Sequence, residues 1–305
     1  MENQPEPFRA GFVAIIGRPN VGKSTLVNAL LGQKIAAVSP RPQTTRRRQL
    51  GILTLENAQV VFIDTPGLHI PHHKLGEFMN DEAAASLEHC DLVTWMVDVS
   101  EEPTEEDALI GKRLAKLAHR PRILLVLNKT DRLKGADLLA RQDIFMTMLP
   151  AGAARPLAIS AYSSEDKQRY LEAVLETLPE GVPFFAEDQV TDLFEREIAM
   201  DLIREAALMH LRDEVPHALG VRIDEFKERS AELSYIAATL LIEKESQKGI
   251  VIGQGGEMLK RIGSTARKSI ESMTGIKIFL ELRVKVSKDW RDNPAVLKTL
   301  GFGKR

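Results

Sequence analysis

Between Gly17 and Ser24 the chain reads GRPNVGKS, a glycine–lysine–serine spacing that can cradle a triphosphate. Glycines let the backbone turn its N–H groups toward phosphate oxygens, a lysine reaches the β/γ oxygens, and a hydroxyl binds Mg2+. Here those groups are Gly17, Gly22, Lys23 and Ser24, with Arg18, Pro19, Asn20 and Val21 as the loop and Thr25 behind it. A helix opening near Gly22 would add the positive end of its dipole. Further on, Asp64, Thr65, Pro66 and Gly67 form DTPG, followed by Leu68. An acid there can hold the Mg2+ shell, and a glycine leaves an N–H free for the γ-phosphate. Asn128, Lys129, Thr130 and Asp131 form NKTD. Its carboxylate can accept from guanine N1–H and the 2-amino group, a donor pair that adenine lacks. Asn128 and the Lys129 stem would brace the base, and Ser160 and Ala161 could offer backbone N–H groups to its carbonyl.

A second glycine pattern lies far downstream. Gly253, Gln254, Gly255 and Gly256 form G-x-x-G, with Lys248, Lys260, Arg261, Arg267 and Lys268 around it. Such glycines allow a nucleic-acid backbone to approach closely beside a helix N-terminus that favours phosphate. Ile250, Val251, Ile252 and Ile262 would serve as groove wall and core together.

These residues need elements to hold them. Short apolar runs at Phe12–Ile16, Val60–Asp64, Leu92–Val97, Ile123–Asn128 and Pro156–Ile159 read as strands. Amphipathic stretches at Lys23–Leu31, Leu75–Leu87, Glu105–Ala118 and Leu138–Met148 alternate with them. That alternation predicts an α/β domain, mainly a parallel sheet with helices on both faces. The pattern stops near Leu178, where two prolines and a glycine mark a linker, with Phe184 and Phe185 expected to pack it down. A helix over Thr191–Leu211, strands over His217–Lys227 and Leu233–Lys244, helices around the glycines to Thr274, and a strand over Ile276–Val286 complete a small α+β unit. The expected division is 8–178, a linker at 179–190, a second domain at 191–290 and a tail at 291–305.

Composition narrows the class. With 305 residues, 44% hydrophobic and 28% charged, the chain can bury two cores and is not a disordered polymer. No apolar run reaches the roughly 18–20 residues that a bilayer span needs. A single cysteine, Cys90, builds no internal disulfide and no thiolate metal site, and a reducing, intracellular setting is expected. The overall charge of -2 conceals a basic end, since residues 244–305 carry 14 Lys+Arg against 6 Asp+Glu. Such an end fits a polyanion, either nucleic acid or acidic lipid. His69, His72 and His73 read as solvated loop residues rather than metal ligands.

The nucleotide motifs in this order resemble translational-type GTPases, which implies GTP/GDP and Mg2+ as cofactors. The resemblance also implies a threonine in PQTTRRR, residues 42–48, that completes the Mg2+ shell with Ser24 and Asp64. Thr45, directly before Arg46, is preferred to Thr44. Lys23, Thr45 and Gly67 then form the catalytic set. Leu68 stands where Ras-like enzymes carry a water-orienting glutamine, so slow turnover is expected. In GTPases of the G-x-P-N-x-G-K-S type that lack this glutamine, the matching asparagine often helps hold K+. Asn20 would either do that or brace its own loop. The α-β-β-α-α-β order around G-x-x-G resembles a type II KH domain, a grip for about four unpaired nucleotides.

Taken together, PQTTR, DTPG, NKTD, EDQVTD and VIGQGG resemble the bacterial Era family of GTPases. That resemblance implies binding to the 3′ end of small-subunit ribosomal RNA, assistance in small-subunit maturation, and RNA binding favoured by GTP. It also implies a cytoplasmic protein with a fraction on the inner membrane surface, and a monomer is expected. The alternative is a membrane-surface GTPase switch that recruits a protein partner. There the basic tail would sit on anionic lipid, with Pro294–Gly303 as a weak anchor through Val296, Leu297, Leu300 and Phe302.

Overall fold

The computed structural model describes residues 7–39, 41, 43–117, 121–133, 138–150 and 152–302. Its contacts divide into two units: Met1–Lys34, Thr45–Ile70 and Met79–Asp192 form one, and Ile35–Thr44, Pro71–Phe78 and Leu193–Arg305 form the other.

Through residue 175 strands and helices alternate. The order is β1 (Arg9–Ile16), α1 (Lys23–Leu31), β2 (Gln49–Leu55), β3 (Ala58–Asp64), α2 (Lys74–Ala85), β4 (Leu92–Asp98), α3 (Glu105–Ala115), β5 (Arg122–Asn128), α4 (Leu138–Thr147), β6 (Ala154–Ala158) and α5 (Ser164–Leu175). The strands form one sheet in the order β2-β3-β1-β4-β5-β6. Only β2 runs antiparallel to its neighbour. Strands β3 and β4 are buried along their whole length, because both faces of the sheet are covered. Parallel strands share a carboxyl edge, so the segments after β1, β3, β5 and β6 meet there. Those segments carry GRPNVGKS, DTPG, NKTD and Ser160–Ala161.

Strand β2 is an addition to the sequence reading. Its residues QLGILTL alternate poorly, contain Gly51 and sit half-buried at the sheet edge beside the basic run Arg46–Arg48. Pairing with β3 from Gln49↔Asp64 to Leu55↔Ala58 supplies what local pattern does not. The linker lies along this unit. Gln59 Oε1 accepts the N–H groups of Phe184 (2.7 Å) and Phe185 (3.0 Å), and Phe184 packs its ring 4.9 Å from that of Phe12.

The second unit contains α6 (Glu195–His210), β7 (Gly220–Ser230), β8 (Leu233–Ile242), α7 (Glu245–Ile252), α8 (Glu257–Thr274), β9 (Lys277–Val286) and α9 (Pro294–Thr299). The sheet order is β7-β8-β9, antiparallel then parallel. A parallel β8–β9 pair requires a crossover, and α7 and α8 provide it. Ile198, Leu202, Ile236, Leu240, Ile262 and Ile270 form the core between helices and sheet.

The tail is built into this unit. Trp290 is fully buried and donates Nε1–H to Ala218 O at 2.8 Å, while Arg291 forks onto Glu243 at 3.0 and 2.6 Å. Leu297, Leu300 and Phe302 are buried, and Phe302 meets the ring of Phe78 edge-on at 5.5 Å. Three of the four expected lipid anchors are therefore already packed against protein. Also within the unit, Asp292 accepts the Lys74 N–H at 3.0 Å and holds His73 Nδ1 at 2.9 Å. His73 is thus paired rather than merely solvated.

Candidate nucleotide site and nucleic-acid groove

The phosphate loop is shaped by close approach. Gly22 sits at φ 108°, and a Cβ there would lie 2.4 Å from Asn128 Nδ2, so no side chain fits. Lys23 folds back over the loop, its Nζ donating to Gly17 O (3.1 Å) and Arg18 O (3.0 Å). Burial lowers its ammonium to about 8, opposed by the nearby Asp64 charge. Asn20 lies exposed at the loop tip with φ 64°. Arg18 turns outward to Glu101 at 2.7 Å and Asp107 at 3.4 Å.

Three hydroxyl and carboxylate groups converge beside Lys23. The Ser24 hydroxyl donates to Asp64 Oδ2 at 2.6 Å and lies 2.8 Å from the Thr45 hydroxyl, which is 3.4 Å from the same oxygen. Thr44 instead donates to Arg41 O at 2.7 Å. Only Thr45 of the two therefore joins Ser24 and Asp64. Burial pushes the Asp64 carboxyl up, against the Ser24 hydrogen bond and the Lys23 charge. Its Oδ1 is buried without a hydrogen-bond partner among the described residues. A buried carboxylate oxygen lacking a donor, flanked by two hydroxyls, is the environment a hard cation takes. Ser24, Thr45 and Asp64 thus fit Mg2+, which would supply positive charge against the phosphates.

Leu68 points into the core with Trp95 and Val97, and its N–H donates to Gly17 O at 3.1 Å. It offers nothing polar to an attacking water. Next to it, His69 Nδ1 lies 2.9 Å from Gly67 O, and Asn80 brackets the His69 backbone with bonds of 3.3 and 2.8 Å.

Asn128 works as a brace between two loops. Its Nδ2 donates to Val21 O at 2.7 Å, and its Oδ1 accepts the Ala161 N–H at 3.0 Å. Lys129, at φ 66°, reaches Asp98 Oδ2 at 2.5 Å. Burial alone would disfavour the Asp98 charge, but the bonds from Lys129 and Ser100 outweigh it and hold the carboxyl below its usual range. Asp131 stands in a 3₁₀ turn, Thr130–Arg132, with 43% of its side chain exposed and Arg132 Nε 4.0 Å from its Oδ2. The Ser160 N–H donates to Asp166 at 2.8 Å. With Ala161 held by Asn128, both backbone donors expected for guanine are shared with protein acceptors.

Gln49, Asp98 and Asp166 were not visible as site residues in the motif reading. Gln49 donates to Asp64 Oδ2 at 3.3 Å from a buried position. Asp98 could have been found, since it ends the strand beside β5 and pairs in register with Asn128.

The G-x-x-G segment joins α7 to α8 through a 3₁₀ turn, Gln254–Gly256. Gly255 has φ 59°, a backbone that side chains rarely adopt, and the space beyond its Cα is open. Gly256 opens a groove of about 480 Å³ that α8 lines with Leu259, Lys260, Gly263, Ser264 and Arg267, and β9 with residues 278–280 and Leu282. Spacing by three and four residues puts Lys260 and Arg267 on this helix face. Arg261 and Lys268 lie outside the groove lining, exposed, with Arg261 paired to Glu257 at 2.6 Å. Lys248 is half-buried on α7. The β9 wall was missed as a site because its alternation reads as ordinary strand.

A P-loop guanine-nucleotide domain followed by a KH domain is the class defined by these two sites. Residues 12–129 match the 50S ribosome-binding GTPase family, and residues 214–291 match the KH domain family. GTPase Era of Ruminiclostridium cellulolyticum is 45% identical over 295 residues, covering 97% of this chain and 98% of the relative. GTPase Era of Geotalea uraniireducens is 46% identical with the same coverage. A crystal structure of Era in complex with MgGDPNP and nucleotides 1506–1542 of 16S ribosomal RNA superposes with a TM-score of 0.90 at 37% identity, covering 97% of this chain and 100% of that one. A point variant of Aquifex aeolicus Era bound to GDP·AlF4- gives 0.89 at 36% identity, with 97% and 100% coverage. The chain belongs to the Era family of GTPases.

Proposed function

We propose that this GTPase is a nucleotide-controlled RNA-binding protein that takes the 3′ end of small-subunit ribosomal RNA and assists maturation of that subunit. The supporting observation is likeness along nearly the whole chain to an Era solved with both a GTP analogue and that RNA region. Its groove, walled by Lys260 and Arg267 below an open G-x-x-G turn, has the charge and access for unpaired RNA. GTP would be held by Gly17–Thr25, with Mg2+ on Ser24, Thr45 and Asp64. Lys23 and the Gly67 N–H would stabilise charge on the γ-phosphate. Guanine would meet Asp131, with Asn128, Lys129, Ser160 and Ala161 shaping its pocket.

On this reading the working parts are the GTPase domain 8–178, linker 179–190, KH domain 191–290 and tail 291–305. The protein acts in the cytoplasm as a monomer, with a fraction at the inner membrane surface. K+ near Asn20 would supply the charge that Leu68 cannot help organise. Equal hydrolysis rates in matched K+ and Na+ buffers would remove K+ from the mechanism.

The deciding experiment measures binding to a single-stranded 3′-end rRNA fragment and to its scrambled counterpart. Both are run with GDP and with a non-hydrolysable GTP analogue, at fixed near-physiological salt. Selective binding that tightens with the analogue supports the proposal. Weak binding, equal for both RNAs and indifferent to nucleotide, sinks it.

A further inference from the structure

Hydrolysis of GTP needs a group that orients the attacking water, and Leu68, buried among core residues, cannot be that group. The polar side chains just before it are committed elsewhere. Asp64 is assigned to Mg2+, and Thr65 donates its hydroxyl to Ile15 O at 2.7 Å. His69 is the first polar side chain after Gly67, and it is only half-buried.

His69 is fixed at three points. Its Nδ1 lies 2.9 Å from Gly67 O. A carbonyl oxygen can only accept, so Nδ1 carries the hydrogen of the neutral ring and Nε2 carries the lone pair. One side chain grips the backbone from both sides. Asn80 Oδ1 accepts the His69 N–H at 3.3 Å, and Asn80 Nδ2 donates to His69 O at 2.8 Å. A histidine that merely coats a surface loop has no need of such a bracket.

The ring is also held in the right place. Gly67 is packed on the phosphate loop, where a Cβ would stand 2.6 Å from Pro19 N and 2.8 Å from its Cα. The Leu68 N–H donates to Gly17 O of the same loop at 3.1 Å. The imidazole is therefore hydrogen-bonded to the residue whose N–H is assigned to the γ-phosphate. We propose that His69 is a catalytic residue that orients the attacking water through Nε2, with Asn80 as the positioning residue that holds it. The water donates a hydrogen to Nε2, which aims its oxygen at the γ-phosphorus. A new P–O bond forms as the bridging P–O bond breaks, and GDP leaves with the electron pair. Both water hydrogens end on the released phosphate. A fixed acceptor spares the reorganisation that free solvent would undergo.

The inference rests on the GTP site assigned above, and nucleotide binding separates the two. Full-length protein is assayed for GDP affinity and for single-turnover hydrolysis of saturating GTP, at fixed Mg2+ and K+. Ser24→Ala tests the site, and unweakened Mg2+-dependent nucleotide binding in that variant would overturn it. His69→Ala should bind GDP as the wild type does and hydrolyse GTP about 10²-fold more slowly. His69→Gln, which keeps a polar acceptor, should recover most of that loss. Asn80→Ala should slow hydrolysis about fivefold and add nothing in the His69→Ala background. Hydrolysis by His69→Ala at the wild-type rate overturns the inference. A matching loss of GDP affinity also overturns it, since the ring would then hold the loop rather than the water. Full additivity of the two alanine variants overturns the role given to Asn80.

Discussion

The two sites solve the binding of phosphate in opposite ways. At the nucleotide site the polar groups are buried and mutually engaged. Lys23, Asp64 and Asn128 are each less than 10% exposed, Lys23 held by carbonyls of its own loop and the other two by groups from segment 21–24. At the G-x-x-G turn the space beyond Gly255 and Gly256 is open, and Lys260 and Arg267 stand in solvent. A buried site gains strength from low dielectric and fixed geometry, and it fails when one member is removed. An open site sums many weaker, salt-screened contacts and tolerates the loss of most single ones.

The sharpest test of that contrast is Lys23→Ala. Single-turnover hydrolysis with saturating GTP should fall about 10²–10³-fold, whereas Lys260→Ala should weaken RNA binding only a few-fold and leave hydrolysis alone. Comparable losses from the two lysines would erase the distinction.

Gln49→Ala probes whether the buried site depends on groups behind the ligands. Gln49 donates to Asp64 Oδ2 at 3.3 Å, so its loss should weaken Mg2+ about 10–100-fold. Mg2+ titration of the release of a fluorescent GDP reads this without relying on turnover. An unchanged midpoint would show that Ser24 and Thr45 suffice.

Gly255→Asp asks how far one position can matter at the open site. An aspartate there is strained by roughly 1–2 kcal/mol at φ 59° and sets a negative charge against phosphate. RNA affinity should drop more than about tenfold, with hydrolysis in the absence of RNA unchanged. A variant that still binds RNA normally would place the contact elsewhere on the domain.

Proton linkage gives the smallest effect. Burial lowers the Lys23 ammonium to about 8 from 10.5, and bound phosphate would raise it again. Nucleotide binding therefore takes up a proton above pH 8, and affinity should decline there by up to about tenfold per pH unit. Titration of a fluorescent GDP between pH 7 and 9 checks this, and Lys23→Met should flatten the decline. For folding the sign is reversed. Between about pH 8 and 10.5 the unfolded chain holds more protons on this lysine, so its contribution to stability rises with pH.

The motifs legible in the sequence are those whose backbone geometry admits few residue types. GRPNVGKS needs glycine at Gly22 because Asn128 fills the space a Cβ would take. The strand and helix order was equally visible, since buried parallel strands are continuous apolar runs and α8 is strongly amphipathic. Strand β2 was not, because its extended form depends on pairing with β3 rather than on its own pattern.

Spacing along the chain thus determined the chemistry at the nucleotide site and the division of labour between the two halves. Tertiary structure decided the partners. Thr45 rather than Thr44 faces Asp64, Gln49 supports the carboxylate, Asp98 holds Lys129, and the tail's apolar residues are spent on the second unit's own packing. Each of these is a contact between residues far apart in sequence, or a choice between adjacent side chains that point opposite ways. Local propensity carries no information about either, because both are fixed only when distant strands and helices close on one another.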